Sequence, residues 1–163
     1  DESALKHAAD LGIGMQLTNI ARDIIEDAAM GRIYLPLSWL QEAQIPAAEV
    51  AAPEYREKLA MLSLRLLREA DRYYRSGDAG LWYLSFRSAC AVSAARQVYS
   101  EIGSLLLRKG ARAWDQRIYV TGSLKLWVVI QGVLSLLRSV PGRLSRPWFP
   151  APLRIVWKYS NVQ

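Results

Sequence analysis

The sequence predicts an all-α fold on three observations. Apolar residues recur at three- and four-residue spacing over long stretches, no stretch alternates like a half-buried strand, and Gly31, Pro36, Gly77, Gly80 and Gly110 punctuate the periodic segments. No hairpin turn competes with this reading, and no internal repeat is visible.

In chain order, the first helix is expected from about residue 3 to 28. Leu11, Met15, Leu17, Ile20, Ile24 and Ile25 place apolar groups on most of its sides, so it reads as buried nearly all round. Gly31 and Pro36 end the pattern, and the loop MGRIYLP follows. Pro36 then suits the start of a short helix over about 37 to 43. QIPAAEVAAP reads either as connection or as a further helical turn. From Glu54 to about Ser76, the stripe Tyr55, Leu59, Leu62, Leu66, Leu67 and Tyr73 marks the next helix, which stops near Gly77 and Gly80. Another helix runs from about Ser85 to Lys109 and ends at Gly110; its small residues, SACAVSAA, permit close approach by a neighbour. A last helix is expected from about Ser123 to Val140.

Composition bounds the function classes. With 163 residues, 52% of them hydrophobic, the chain can bury one sizeable core. The single Cys90 and the lack of metal-type Cys/His spacing exclude a disulfide framework and a zinc site, and point to a reducing, cytoplasmic compartment. The opening DESALKHAAD is acidic and helix-like, unlike a signal peptide. It begins as if in mid-helix, which leads us to expect a piece of a longer protein.

Charge is unevenly placed. Residues 1 to 100 carry 11 basic and 13 acidic side chains, residues 101 to 163 carry 10 and 2, and the whole chain has a net charge of +6. The second part therefore faces something anionic: substrate phosphate or an anionic membrane surface, with nucleic acid disfavoured because no reader motif accompanies the charge. LWVVIQGVLSLL is too short to span a bilayer, which takes roughly 20 apolar residues. In the tail, Arg143, Arg146, Arg154 and Lys158 alternate with Trp148, Phe149, Trp157 and Tyr159. Such a tail suits either a membrane headgroup region, at the inner face, or a wrap with its aromatics buried.

One row of residues carries chemistry. A step of four residues turns a helix by about 400°, so Asn19, Asp23 and Asp27 form a slowly drifting row, with Gln16 and Glu26 near its edges. Two like charges at this spacing repel by a few tenths of a kcal/mol, roughly, unless a cation compensates them. Carboxylate and amide oxygens are the ligands hard Mg²⁺ takes, with phosphates and water completing its shell. The alternative is a solvated polar face paired with Arg22. Apolar surroundings weigh against that alternative, because buried carboxylates need partners.

These residues carry a resemblance. LGIGMQLTNIARDIIEDAAMGRIYLPLSWL, residues 11 to 40, resembles the second aspartate-rich signature of the squalene/phytoene synthase family, in the wording of its bacterial phytoene synthase branch. FRSACAVSAARQVYSEIG, residues 86 to 103, and AWDQRIYVTGSLKLW, residues 113 to 127, are similar to the same family's downstream helices. The resemblance implies an isoprenoid synthase-type helical bundle, with residues 1–140 as the C-terminal part of that domain and 141–163 as a basic aromatic tail. It further implies head-to-head joining of two geranylgeranyl diphosphates into phytoene through a cyclopropyl diphosphate, with Mg²⁺, or Mn²⁺ in its place. A squalene-type synthase using farnesyl diphosphate and NADPH is the runner-up, and a non-catalytic, membrane-associated helical module the alternative from another class.

By matching position, Asp23 and Asp27 are the metal-binding acids, Asn19 a further ligand, and Gln16 lies close by. The resemblance makes Arg22 a diphosphate contact, against an ion pair with Asp23. It makes Arg117 another, against a salt bridge to Asp115, with Lys125 weaker. Tyr34 either closes over the site or packs. His7 lies outside the motif and reads as a helix-surface residue; Met15, Gly12 and Gly14 read as cavity lining or as ordinary core. The family has two aspartate-rich motifs and this sequence has one DxxxD, so the chain alone is expected to be inactive and to need a partner segment carrying the first.

Overall fold

The structure, a computed structural model, describes residues 2–116. Helix α1 spans Glu2–Ala29, α2 Leu37–Glu42, α3 Arg56–Gly80 and α4 Phe86–Lys109. Short 3-10 turns at Ala47–Glu49, Pro53–Tyr55, Leu81–Tyr83 and Gly110–Trp114 complete the path, and no strand occurs among the described residues. Every helix expected within this range is present. The ambiguous stretch after α2 resolves into two 3-10 turns, each preceded or opened by a proline that fixes the backbone for a turn. The helix expected over 123 to 140, the tail, Arg117 and Lys125 lie outside the described residues. No described helix is long and apolar enough to cross a membrane.

The ends of α4 show why the sequence starts and stops helices where it does. The Ser85 side chain accepts a hydrogen bond from the Ser88 backbone N–H, satisfying one of the donors a helix start leaves open. Arg108 and Lys109 sit in the last turn, where positive charge suits the helix dipole. Gly110 then takes φ 54 and ends the helix.

Helices α1 and α3 run antiparallel, and glycines set their separation. A methyl group at Gly14 would meet the Tyr74 ring at 3.0 Å; at Gly77 it would meet Leu11 at 2.9 Å, and at Gly80 His7 at 2.4 Å. The buried stripe of α1 is accordingly small: Gly14, Thr18, Ala21 and Ile24. This corrects the expectation of a helix buried all round. Ile13 is 42% and Leu5 72% exposed, because the described elements packed on α1 leave these sides of it uncovered. Gly14 is a packing contact rather than cavity lining, and Gly12 faces open space. His7 is also not a surface residue: it is half-buried, its Nδ1 lies 3.0 Å from Ser76 Oγ, and its ring stacks with Tyr83 over the gap that Gly80 leaves.

The apolar stripe of α3, Leu59, Leu62, Leu66, Leu67 and Ala70, faces α1 and α4. Leu35, Leu40, Ile45 and Val50, all below 5% exposed, bring the segment containing α2 onto the same core. Beside it lies a polar network joining the three long helices. Thr18 Oγ1 donates to the Gly14 carbonyl at 3.0 Å or shares its hydrogen with Tyr74 OH at 2.7 Å. The Arg96 guanidinium lies 5.0 Å from the Tyr74 ring centroid and donates to Asp78 Oδ2 at 3.0 Å and Ser100 Oγ at 3.1 Å. Burial raises the Asp78 carboxyl above its ordinary value, and Arg96 opposes that shift.

Burial pushes the Tyr74 phenol up to about 12, against the opposing effects of Thr18 and Arg96. The unfolded chain therefore releases this proton first, and the corresponding stability, intact below pH 10, is lost as pH rises toward about 12. Tyr74→Phe should lower stability at neutral pH by about 1 kcal/mol, since it removes the buried hydrogen bond between the phenol and Thr18. It should also flatten the decline between pH 10 and 12, as followed by chemical denaturation at each pH.

Candidate functional site

Asn19, Asp23 and Asp27 lie on α1 away from its buried stripe, each partly exposed, and Gln16 stands exposed two turns before Asp23. Asp23 is engaged: Arg22 Nε donates to Oδ1 at 2.8 Å and Nη2 to Oδ2 at 2.6 Å, a bidentate fork. That hydrogen bond raises the Arg22 pKa further above its ordinary high value, with burial opposing and the charges of Asp23, Tyr99 and Glu26 assisting. The ion pair weighed for Arg22 in the sequence is thus formed. Asp115, the alternative partner for Arg117, lies 3.8 Å from Arg56 Nη1.

The C-terminal end of α1 shapes the rest. Gly31 at φ 72 reverses the chain, Gly31 N–H bonds the Ala28 carbonyl at 3.0 Å, and Arg32 N–H bonds the Asp27 carbonyl at 2.8 Å. These are the paired bonds of a Schellman end, which needs a left-handed residue after the helix. The reversal returns the chain along α1, so that Tyr34 and Arg32 share a small cleft with Asp27, Ile20 and Ile24. Tyr34 is 53% exposed while its neighbour Leu35 is buried in the core, so Leu35 anchors the loop and leaves the phenol at the opening. The structure therefore brings Asp27 and Tyr34 together and adds Arg32, which sequence reasoning passed over. The glycine directly before Arg32 was the available signal.

Electrostatically this end of α1 favours a cation. Its last turn holds no basic residue, although the helix dipole is negative there, and Asp27 adds to it. Among the described residues no three acids, histidines or cysteines cluster closely enough to enclose a metal ion. The donor set is instead an open row of hard oxygens, two carboxylates and an amide. It fits the way Mg²⁺ binds, by one or two carboxylates with the remaining positions left to phosphate and water.

Comparison with known proteins agrees with the motif. The squalene/phytoene synthase profile matches residues 1–123. The chain is 44% identical over 152 residues to 15-cis-phytoene synthase of Pantoea ananas, covering 91% of this chain and 49% of that protein. It is 48% identical over 117 residues to 15-cis-phytoene synthase of Enterobacter agglomerans, covering 72% of this chain and 40% of that protein. It is 44% identical over 146 residues to the phytoene synthase of Pseudescherichia vulneris, covering 90% and 45%. The chain thus spans about half the length of the curated relatives it matches.

The reversal that gathers Asp27, Arg32 and Tyr34 depends on a left-handed residue at position 31. Gly31→Val should cost about 1–2 kcal/mol, and Gly31→Asn clearly less, because Asn tolerates that conformation. A Cβ added there meets no atom of the surrounding structure within 4 Å, so the difference between the two substitutions in urea denaturation reads chiefly the backbone effect.

Proposed function

The chain belongs to the squalene/phytoene synthase family, and from that premise we propose that it supplies the second aspartate row of an enzyme joining two geranylgeranyl diphosphates head to head into phytoene. The observation that carries this reading is the row Asn19, Asp23 and Asp27, flanked by Arg22, at the cation-favouring end of a helix.

The chemistry asks for two opposed environments. Ionising an allylic diphosphate yields a carbocation and a highly charged leaving group; the first must be kept from water and the second neutralised. Divalent-metal dependence is general to the family, and in this reading the metal is Mg²⁺, with Mn²⁺ as substitute. Bound metal would supply positive charge to the leaving diphosphate. Asp23, Asp27 and Asn19 hold it, while Arg22, Arg117 and Lys125 bind diphosphate oxygens, Arg22 through a planar fork that suits them. Tyr34 closes the cleft beside Asp27, Ile20 and Ile24 keep water from its inner side, and Gln16 borders the row.

One row leaves the diphosphate contacted from one side. The reading therefore includes a facing set of acids from outside these residues, supported by the presence of a single DxxxD in the chain. Residues 1–140 belong to the helical domain in this reading. Residues 141–163 form a tail whose basic and aromatic composition supports peripheral contact with the inner face of an anionic membrane.

The test is a product assay on the protein joined to a segment carrying the facing acids, with Mg²⁺, labelled geranylgeranyl diphosphate and no NADPH. Phytoene is the expected product, and Asp23→Ala or Asp27→Ala should each lower turnover by at least about a hundredfold. A product that forms only from farnesyl diphosphate with NADPH would indicate a squalene-type enzyme. Diphosphate binding that ignores both Mg²⁺ and Asp23→Ala would indicate a non-catalytic helical module.

A further inference from the structure

The fork between Arg22 and Asp23 sits awkwardly with a simple binding row. Both oxygens of Asp23 are engaged, at 2.8 and 2.6 Å, so a cation arriving at Asp23 competes with a charge-assisted, bidentate pair for the carboxylate's charge and for the lone pairs the fork uses. The same fork spends two of the five N–H donors of Arg22, including the Nε–Nη2 edge that would otherwise meet phosphate. Each side chain competes with the other's ligand.

The pair is nevertheless accessible. The Arg22 and Asp23 side chains are 22% and 21% exposed, so parting them does not strand a charge deep in the protein. Their environment determines what happens when only one is taken. Removing Asp23 alone, by metal, leaves the guanidinium with Tyr99 and Glu26 as its remaining electrostatic neighbours. Removing Arg22 alone, by diphosphate, leaves the Asp23 carboxylate uncompensated, one turn from Asp27 and near the negative end of the helix.

Resting on the function proposed above, we propose that Arg22 and Asp23 form a latch: a divalent cation and a diphosphate open it efficiently only together, and therefore bind cooperatively. When both arrive, the carboxylate exchanges the guanidinium for the metal and the guanidinium exchanges the carboxylate for phosphate oxygens, so neither is left unpaired. No bond is made or broken beyond these ion pairs. Such coupling is reciprocal, so metal tightens diphosphate by the same factor as diphosphate tightens metal. Its consequence is order: Asp23 stays neutralised at rest and commits to metal when diphosphate is present to be neutralised.

Mn²⁺ titration of the full chain, read by electron paramagnetic resonance with and without inorganic diphosphate, tests this without any turnover. In the wild type, diphosphate should tighten Mn²⁺ binding by roughly tenfold or more. Arg22→Gln should bind Mn²⁺ alone roughly three- to tenfold tighter than wild type, with the diphosphate enhancement reduced by a similar factor. Arg22→Lys, which keeps the charge without the fork, should fall between them, and it decides the question should circular dichroism show Arg22→Gln unfolded. Asp23→Asn should lose the Mn²⁺ signal, locating the site. Unchanged metal-only affinity in the Arg22 variants, with binding still dependent on Asp23, overturns the latch and leaves the functional reading standing. Absence of Mn²⁺ binding by the wild type even with diphosphate overturns both.

Discussion

The approach of α1 to α3 depends on side chains that are missing. Gly14 gives room to the Tyr74 ring, Gly77 to Leu11 and Gly80 to His7, so the two helices meet along most of the antiparallel run between them. Once they are that close, Tyr74 can reach Thr18, and Arg96 from α4 can lie over the Tyr74 ring. This contact fixes more than separation. Thr18 held toward α3 sets the rotation of α1 about its own axis, and the next residue, Asn19, begins the polar row. The direction in which the row faces follows from the packing on the other side of the helix.

Polar groups make this orientation unique in a way that apolar packing alone does not. A slipped α1 would keep much of its hydrophobic burial but would leave the Tyr74 hydroxyl without its partner. The ion pair between Arg96 and Asp78, 4% and 11% exposed, contributes little net stability by its charge, since desolvation opposes the attraction. Breaking it is costly, and that asymmetry penalises alternative arrangements of α3 and α4.

At the row the balance is reversed. Acids accumulate where the helix dipole and their mutual repulsion disfavour them, and the fork from Arg22 compensates Asp23. A surface under selection for stability alone would place a lysine or arginine in the last turn of α1, as α4 does with Arg108 and Lys109. The two helix ends, within one chain, contrast in this: α4 answers its dipole with Arg108 and Lys109, whereas the last turn of α1 holds no basic residue.

The sequence by itself determined the helices, because their signals are local: apolar spacing in α3, Ser85 and Gly110 at the ends of α4, and Gly31 and Pro36 around the loop after α1. It also determined the row, since residues four apart share a helix face wherever the helix lies, and it carried the family signature that the comparisons bear out. It misjudged α1 as buried all round because apolar character at Leu11, Met15, Leu17, Ile20 and Ile25 says that a side chain can be buried, not that a neighbour covers it, and each of these is only partly buried. It placed His7 at the surface because the space left by Gly80 lies 73 positions along the chain. Only the tertiary structure decided that Arg22 holds both oxygens of Asp23, and that the Gly31 reversal carries Arg32 and Tyr34 back to Asp27. Rotamers and chain reversals are settled by the full set of contacts in three dimensions, and periodicity along one dimension does not contain them.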